Sequence, residues 1–99
     1  MILQAALAVL AVAAPGPAQV SIVDDAFRPR TLAVRRGRAV TWRWQGRRRH
    51  DVWFASGQRR CRARRAGSCT RRFRRAGRYE YFCTLHGSMT GLVRVRPKR

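Results

Sequence analysis

Acidic residues are scarce: the 99 residues carry four carboxylates, Asp24, Asp25, Asp51 and Glu80, against 23 cations, for a formal net charge of +19. Only one of those cations is a lysine. Histidine is scarcer still, with His50 and His86 alone. So small an inventory leaves no nucleophile with a base to spare beside it, which argues against hydrolysis and against an enzyme. Apolar runs are also few. Ile2 to Ala14 is the only one, too short to span a bilayer, and no internal repeat is visible. Methionine occurs at the initiator and at Met89, and cysteine three times, at Cys61, Cys69 and Cys83, an odd number.

The apolar run ends at Pro15-Gly16-Pro17, which cannot continue a helix and reads as a linker. Small residues at Val12 and Ala14, or Gly16 and Ala18, offer cleavage sites, so residues 1–18 read as a signal peptide and residues 19–99 as one domain. No Lys or Arg precedes the run, which departs from the usual leader, and an ordinary buried helix is the alternative. With a leader, the mature chain is expected to be soluble and extracytoplasmic: periplasmic, cell-surface or secreted. About eighty residues then remain, near the lower limit for a self-sufficient core.

Beyond the linker the apolar positions alternate: Val20, Ile22; Leu32, Val34; Val40, Trp42, Trp44; His50, Val52, Phe54; Tyr79, Tyr81, Cys83; then Leu92 or Val93, and Val95. Period-two segments separated by Gly, Pro and Arg predict an all-β fold, an antiparallel Greek-key β-sandwich of about seven strands. The segment from Ala55 to Ser68 is the least strand-like. Cys61 and Cys69 bracket most of it, and in an exported protein their pairing would leave Cys83 as a free thiolate.

Within Tyr79-Glu80-Tyr81-Phe82-Cys83-Thr84-Leu85-His86-Gly87-Ser88-Met89 a thiol, an imidazole and a thioether recur every three residues. Alternation points Tyr79, Tyr81 and Cys83 to one side of a strand. His86 and Met89 are then expected on a tight loop with Gly87, and Gly91 at the start of a second strand, Leu92 to Arg96. His50 arrives from elsewhere in the chain. Taken singly, each of these residues is more often structural. Together they make a His2Cys set with a nearby Met, the pattern that selects copper for electron transfer.

On these residues the chain resembles the cupredoxins, or small blue copper proteins, of the plastocyanin and amicyanin branch. The loop Cys83-Thr84-Leu85-His86-Gly87-Ser88-Met89 is similar to the short amicyanin type, and the likeness runs from about Val20 to Val95. Its other marks are Phe27-Arg28-Pro29, Val34-Arg35-Arg36-Gly37 before Val40-Thr41-Trp42, His50-Asp51-Val52, and Gly77-Arg78-Tyr79-Glu80-Tyr81. The resemblance implies one type 1 copper ion held by His50, Cys83 and His86, with Met89 as the long axial sulfur, in a one-electron carrier. It also implies that the imidazole edge of His86, ringed by Leu85 and Met89, meets the partner. Phe82, next to Cys83 and facing away from the core, is a second outlet or an ordinary surface aromatic.

Three residues around the ligands depart from the resembled pattern. Asp51 replaces a frequent Asn, exchanging an amide that can donate for a carboxylate that accepts, and Thr84 is placed to satisfy it. Leu85 replaces a frequent Pro, restoring a backbone N–H close to the Cys83 sulfur. Trp44 stands where Asn is common, so the loop from Gln45 to Arg49 is expected to be held differently.

The charge predicts an acidic redox partner, or an anionic lipid or cell-wall surface, drawn in by long-range attraction; Arg-rich codon usage explains it equally well. A monomer is expected and no nucleic acid. Two other readings stay open: a copper carrier or store on the same site, and an Arg-rich Cys3His zinc module on nucleic acid. The long interval from Cys69 to Cys83 argues against the zinc module.

Overall fold

A computed structural model describes residues 18–57 and 59–97. Nine strands follow one another without a helix among the described residues: β1 (Ala18–Val23), β2 (Ala26–Arg28), β3 (Thr31–Arg35), β4 (Ala39–Trp44), β5 (His50–Phe54), β6 (Arg59–Arg64), β7 (Gly67–Arg72), β8 (Gly77–Cys83) and β9 (His86–Arg96). The proposed leader, residues 1–18, lies outside the described residues except for Ala18, which opens β1.

The strands form a four-stranded sheet, β2-β1-β4-β7, and a five-stranded sheet, β3-β9-β8-β5-β6. The all-β sandwich expected from alternation is what the chain forms, with nine strands where about seven were predicted. Its sheets are mixed rather than wholly antiparallel: β1 runs parallel to β4, with Val20 opposite Trp42, and β3 runs parallel to β9, with Val34 opposite Val95. The reason is the crossover. β3 belongs to the second sheet, so the chain leaves the first sheet after β2 and returns as β4 beside β1 in the same direction.

Alternation does select the core. Along β4 the inward residues are Val40, Trp42 and Trp44, and along β8 Tyr81 and Cys83. Trp42 is fully buried at the centre, edge-on to Tyr81 at 5.4 Å and to Phe54 at 5.9 Å between ring centroids. Edge-to-face packing of this kind adds about 0.5–1.5 kcal/mol per pair beyond burial. Tyr81 also lies across its cross-strand neighbour Gly91, where a Cβ would stand 2.3 Å from the ring. Burial pushes its phenol up to about 12.

The segment expected to be least strand-like instead contains β6 and the start of β7. Arginine hides the alternation there because both are edge strands, one in each sheet, and an edge carries charge on faces that a central strand would bury. Cys61, buried on β6, is joined to Cys69 on β7 with Cα atoms 6.2 Å apart. The bond therefore bolts the two sheets together where neither has a further strand. Cys83 is left as the free thiol.

Candidate metal centre

One end of the sandwich gathers His50, Cys83 and His86, whose ligand atoms all lie within 4.8 Å of one another. His50 opens β5, Cys83 closes β8 and His86 opens β9, so each sits on a strand end whose direction the sheet has already set. Only Thr84 and Leu85 separate β8 from β9, forming a two-residue turn. His86 therefore belongs to a strand and not to a loop, facing Cys83 as its Cα partner.

Between that pair and the next, Phe82 with Thr90, the register breaks. Residues 87–89 are extra on the β9 side, and a bulge of this kind re-aims side chains. Met89 comes out of it buried, 1% exposed. The expected loop is thus a bulge inside one long strand, and Gly91 lies within that strand rather than at its start.

The Cys83 sulfur lies 3.8 Å from Nδ1 of His50, and the two imidazole centroids are 4.8 Å apart. Burial pushes the Cys83 thiol up, while hydrogen bonds from the backbone N–H groups of Asp51 and Leu85 pull it down. Asp51 in turn accepts two hydrogen bonds from Thr84, from its N–H at 2.7 Å and from its hydroxyl at 2.5 Å. Its carboxylate thereby clasps the turn between Cys83 and His86 to the strand that carries His50. Trp44 reaches the same end of the core, its indole N–H donating to the His50 carbonyl at 2.9 Å.

Asp24, which the sequence reading passed over, is built into the site as well. Nε2 of His50 donates to its Oδ1 at 3.2 Å, and the same oxygen accepts from the backbone N–H groups of Arg47 and Arg48, each at 2.9 Å. Those contacts, led by the Arg48 N–H, hold the Asp24 carboxyl down to about 2. The neighbouring Asp25 has its Oδ1 3.7 Å from Nδ1 of His86. The signal available in the sequence was the adjacency of two of the chain's four acids in a chain otherwise dominated by arginine.

Two imidazoles and a buried thiol held together form a donor set that fits one copper ion, and the Met89 thioether, three residues beyond His86 in the chain, is buried as well. Sandwich and donor set together are similar to those of the cupredoxins. Solved structures similar to the chain carry the same point further. A reduced Cu(I) form of an amicyanin variant is 29% identical at a TM-score of 0.70, covering 84% of this chain and 85% of that one. Amicyanin from Paracoccus versutus is 26% identical at 0.70, covering 85% and 86%. A purple cupredoxin from Nitrosopumilus maritimus, 22% identical at 0.67 and covering 80% and 99%, shares the fold. No protein-family model matches the chain, and no curated protein matches it by sequence.

Proposed function

We propose that the protein is a small exported carrier of single electrons, built on one type 1 copper ion that His50, Cys83 and His86 would hold, with Met89 as the fourth donor. The observation that carries this reading is the convergence of two imidazoles and one thiol within 4.8 Å at the ends of paired strands. Copper bound there supplies a Cu(II)/Cu(I) couple. The residues contribute constraint: strand ends, the Asp51–Thr84 clasp and the Trp44 indole keep the donors where they are in either state.

His50 is wholly buried, whereas the His86 side chain is 23% exposed and Leu85 beside it 50% exposed. The short way out for an electron is therefore the His86 edge, flanked by exposed Leu85 and by the Asp25 carboxylate; Met89, expected to ring that edge, is buried instead. Phe82, half-buried and paired across the sheet with half-buried Trp53, is the second outlet.

The charge of +19 favours an acidic redox partner, or an anionic lipid or wall surface, and the transfer rate is expected to fall steeply as salt is added. The disulfide supports an oxidising, extracytoplasmic compartment. It also takes two of the three thiols that a Cys3His zinc module would need. The protein acts as a monomer and does no catalysis of its own in this reading, and slow loss of copper to a chelator separates an electron carrier from a copper carrier or store.

The test is an absorption spectrum of the copper-loaded protein. An intense visible thiolate-to-Cu(II) band, lost on reduction and absent from Cys83→Ser, is the expected result. A Cys83→Ser protein with the metal uptake and redox behaviour of its parent overturns the reading.

A further inference from the structure

We propose that Asp24 is a positioning residue for the metal centre: its carboxylate fixes the ring of His50, so that Nδ1 is the nitrogen presented to the ion, and it places a negative charge on the far side of that ligand. The inference rests on the copper reading for its redox part and on geometry alone for its structural part.

Nε2 of His50 faces Oδ1 of Asp24 at 3.2 Å, and Nδ1 faces the Cys83 sulfur at 3.8 Å. A carboxylate only accepts, so Nε2 carries a proton, and in the neutral ring that leaves Nδ1 with its lone pair toward the sulfur. A wholly buried imidazole has no water to satisfy Nε2, and Asp24 is the partner it has. Outer carboxylates of this kind set ring tautomer and orientation and raise ligand basicity.

Asp24 is itself held from two directions. It sits in the two-residue turn between β1 and β2, where Asp25 adopts a left-handed φ of 69°. Its Oδ1 is also pinned by the Arg47 and Arg48 N–H groups of the loop leading to His50. Gly46 makes room for it, since a Cβ there would lie 2.4 Å from Oδ1. One oxygen therefore ties together the turn, the loop and the ligand ring. Three of the chain's four acids contact the site's residues in this way, Asp24 through His50, Asp25 near His86 and Asp51 through Thr84.

Asp24→Asn, Asp24→Ala and Gly46→Ala separate the parts of the proposal. In the metal-free parent, long-range proton–nitrogen NMR of the imidazoles is expected to give the Nε2–H tautomer for His50. Asp24→Asn keeps an acceptor oxygen and should keep that tautomer, while its reduction potential rises because the Cu(II) state loses a nearby negative charge. Asp24→Ala should mix the tautomers and weaken copper binding by about 10–100-fold in competition with a chelator. Gly46→Ala, with no change of charge, should displace the carboxylate and reproduce the Ala result.

Circular dichroism checks folding, and if Asp24→Ala unfolds, the Asn and Gly46 variants decide. A metal-free parent with His50 in the Nδ1–H form, or an Asp24→Ala protein that is folded and matches its parent in tautomer and copper affinity, overturns the proposal. A protein that holds the Nε2–H tautomer but shows no thiolate–copper band defeats the copper reading and leaves Asp24's positioning of the ring standing.

Discussion

The indole N–H of Trp44 donates to the carbonyl oxygen of His50 at 2.9 Å, spanning the loop that joins β4 to β5. Here the structure answers how that loop is held with a tryptophan in place of the frequent Asn. Trp44→Phe keeps an aromatic ring under the Arg64 guanidinium, which lies 5.0 Å from the ring centroid, but leaves a buried carbonyl without its donor. Urea denaturation is expected to register a loss of about 1–3 kcal/mol. An unchanged midpoint and slope would mean that the indole contributes only its bulk.

Leu85→Pro removes the backbone N–H that donates to the Cys83 sulfur. Thiolate charge no longer withdrawn by that bond favours Cu(II), so the reduction potential should drop, on the order of tens of millivolts for a hydrogen bond of about 1 kcal/mol felt mainly in one redox state. Voltammetry of the copper-loaded variant checks the sign, and a potential equal to or above the parent's counts against the role given to this N–H.

The Cys61–Cys69 bond closes a short ring, with the two residues 8 apart in sequence. Replacing both cysteines by serine is expected to cost about 2.5 kcal/mol in the chain-entropy model. Chemical unfolding of the double variant beside the parent measures it. Because the bond joins the two sheet edges, proteolysis within residues 59–72 should also accelerate in the variant.

Gly91→Ala drives a methyl into the Tyr81 ring, with 2.3 Å between the added Cβ and the nearest ring atom. The buried ring or the strand beside it must shift, at a cost of about 1–3 kcal/mol. The thermal midpoint should fall. Tyr81→Phe in the same background should recover part of the loss, since the hydroxyl is among the atoms crowding Gly91, 2.5 Å from the added Cβ.

Alternation was enough to identify most of the strands and the inward residues Val20, Val40, Trp42, Tyr81 and Val95, because burial on a pleated sheet follows a period of two. It failed on β6 and β7, where edge position lets arginine occupy both faces. The candidate ligand residues were legible because three of them lie within seven positions of each other and their chemistry is rare in this chain. Asp24 was not, because its contact with His50 spans 26 residues and has no local pattern.

The amino-acid order alone determined that the chain would make strands, that Cys83 would face inward at the end of one, and that thiol, imidazole and thioether would stay close along the chain. Only the tertiary structure decided that β3 crosses to the other sheet and turns two pairings parallel, that Met89 reaches the interior through a bulge, and that Asp24 meets His50. The reason is that side-chain alternation is a property of neighbours in sequence. Which strand lies beside which, and which carboxylate finally meets which imidazole, depends on how the two sheets close over Trp42.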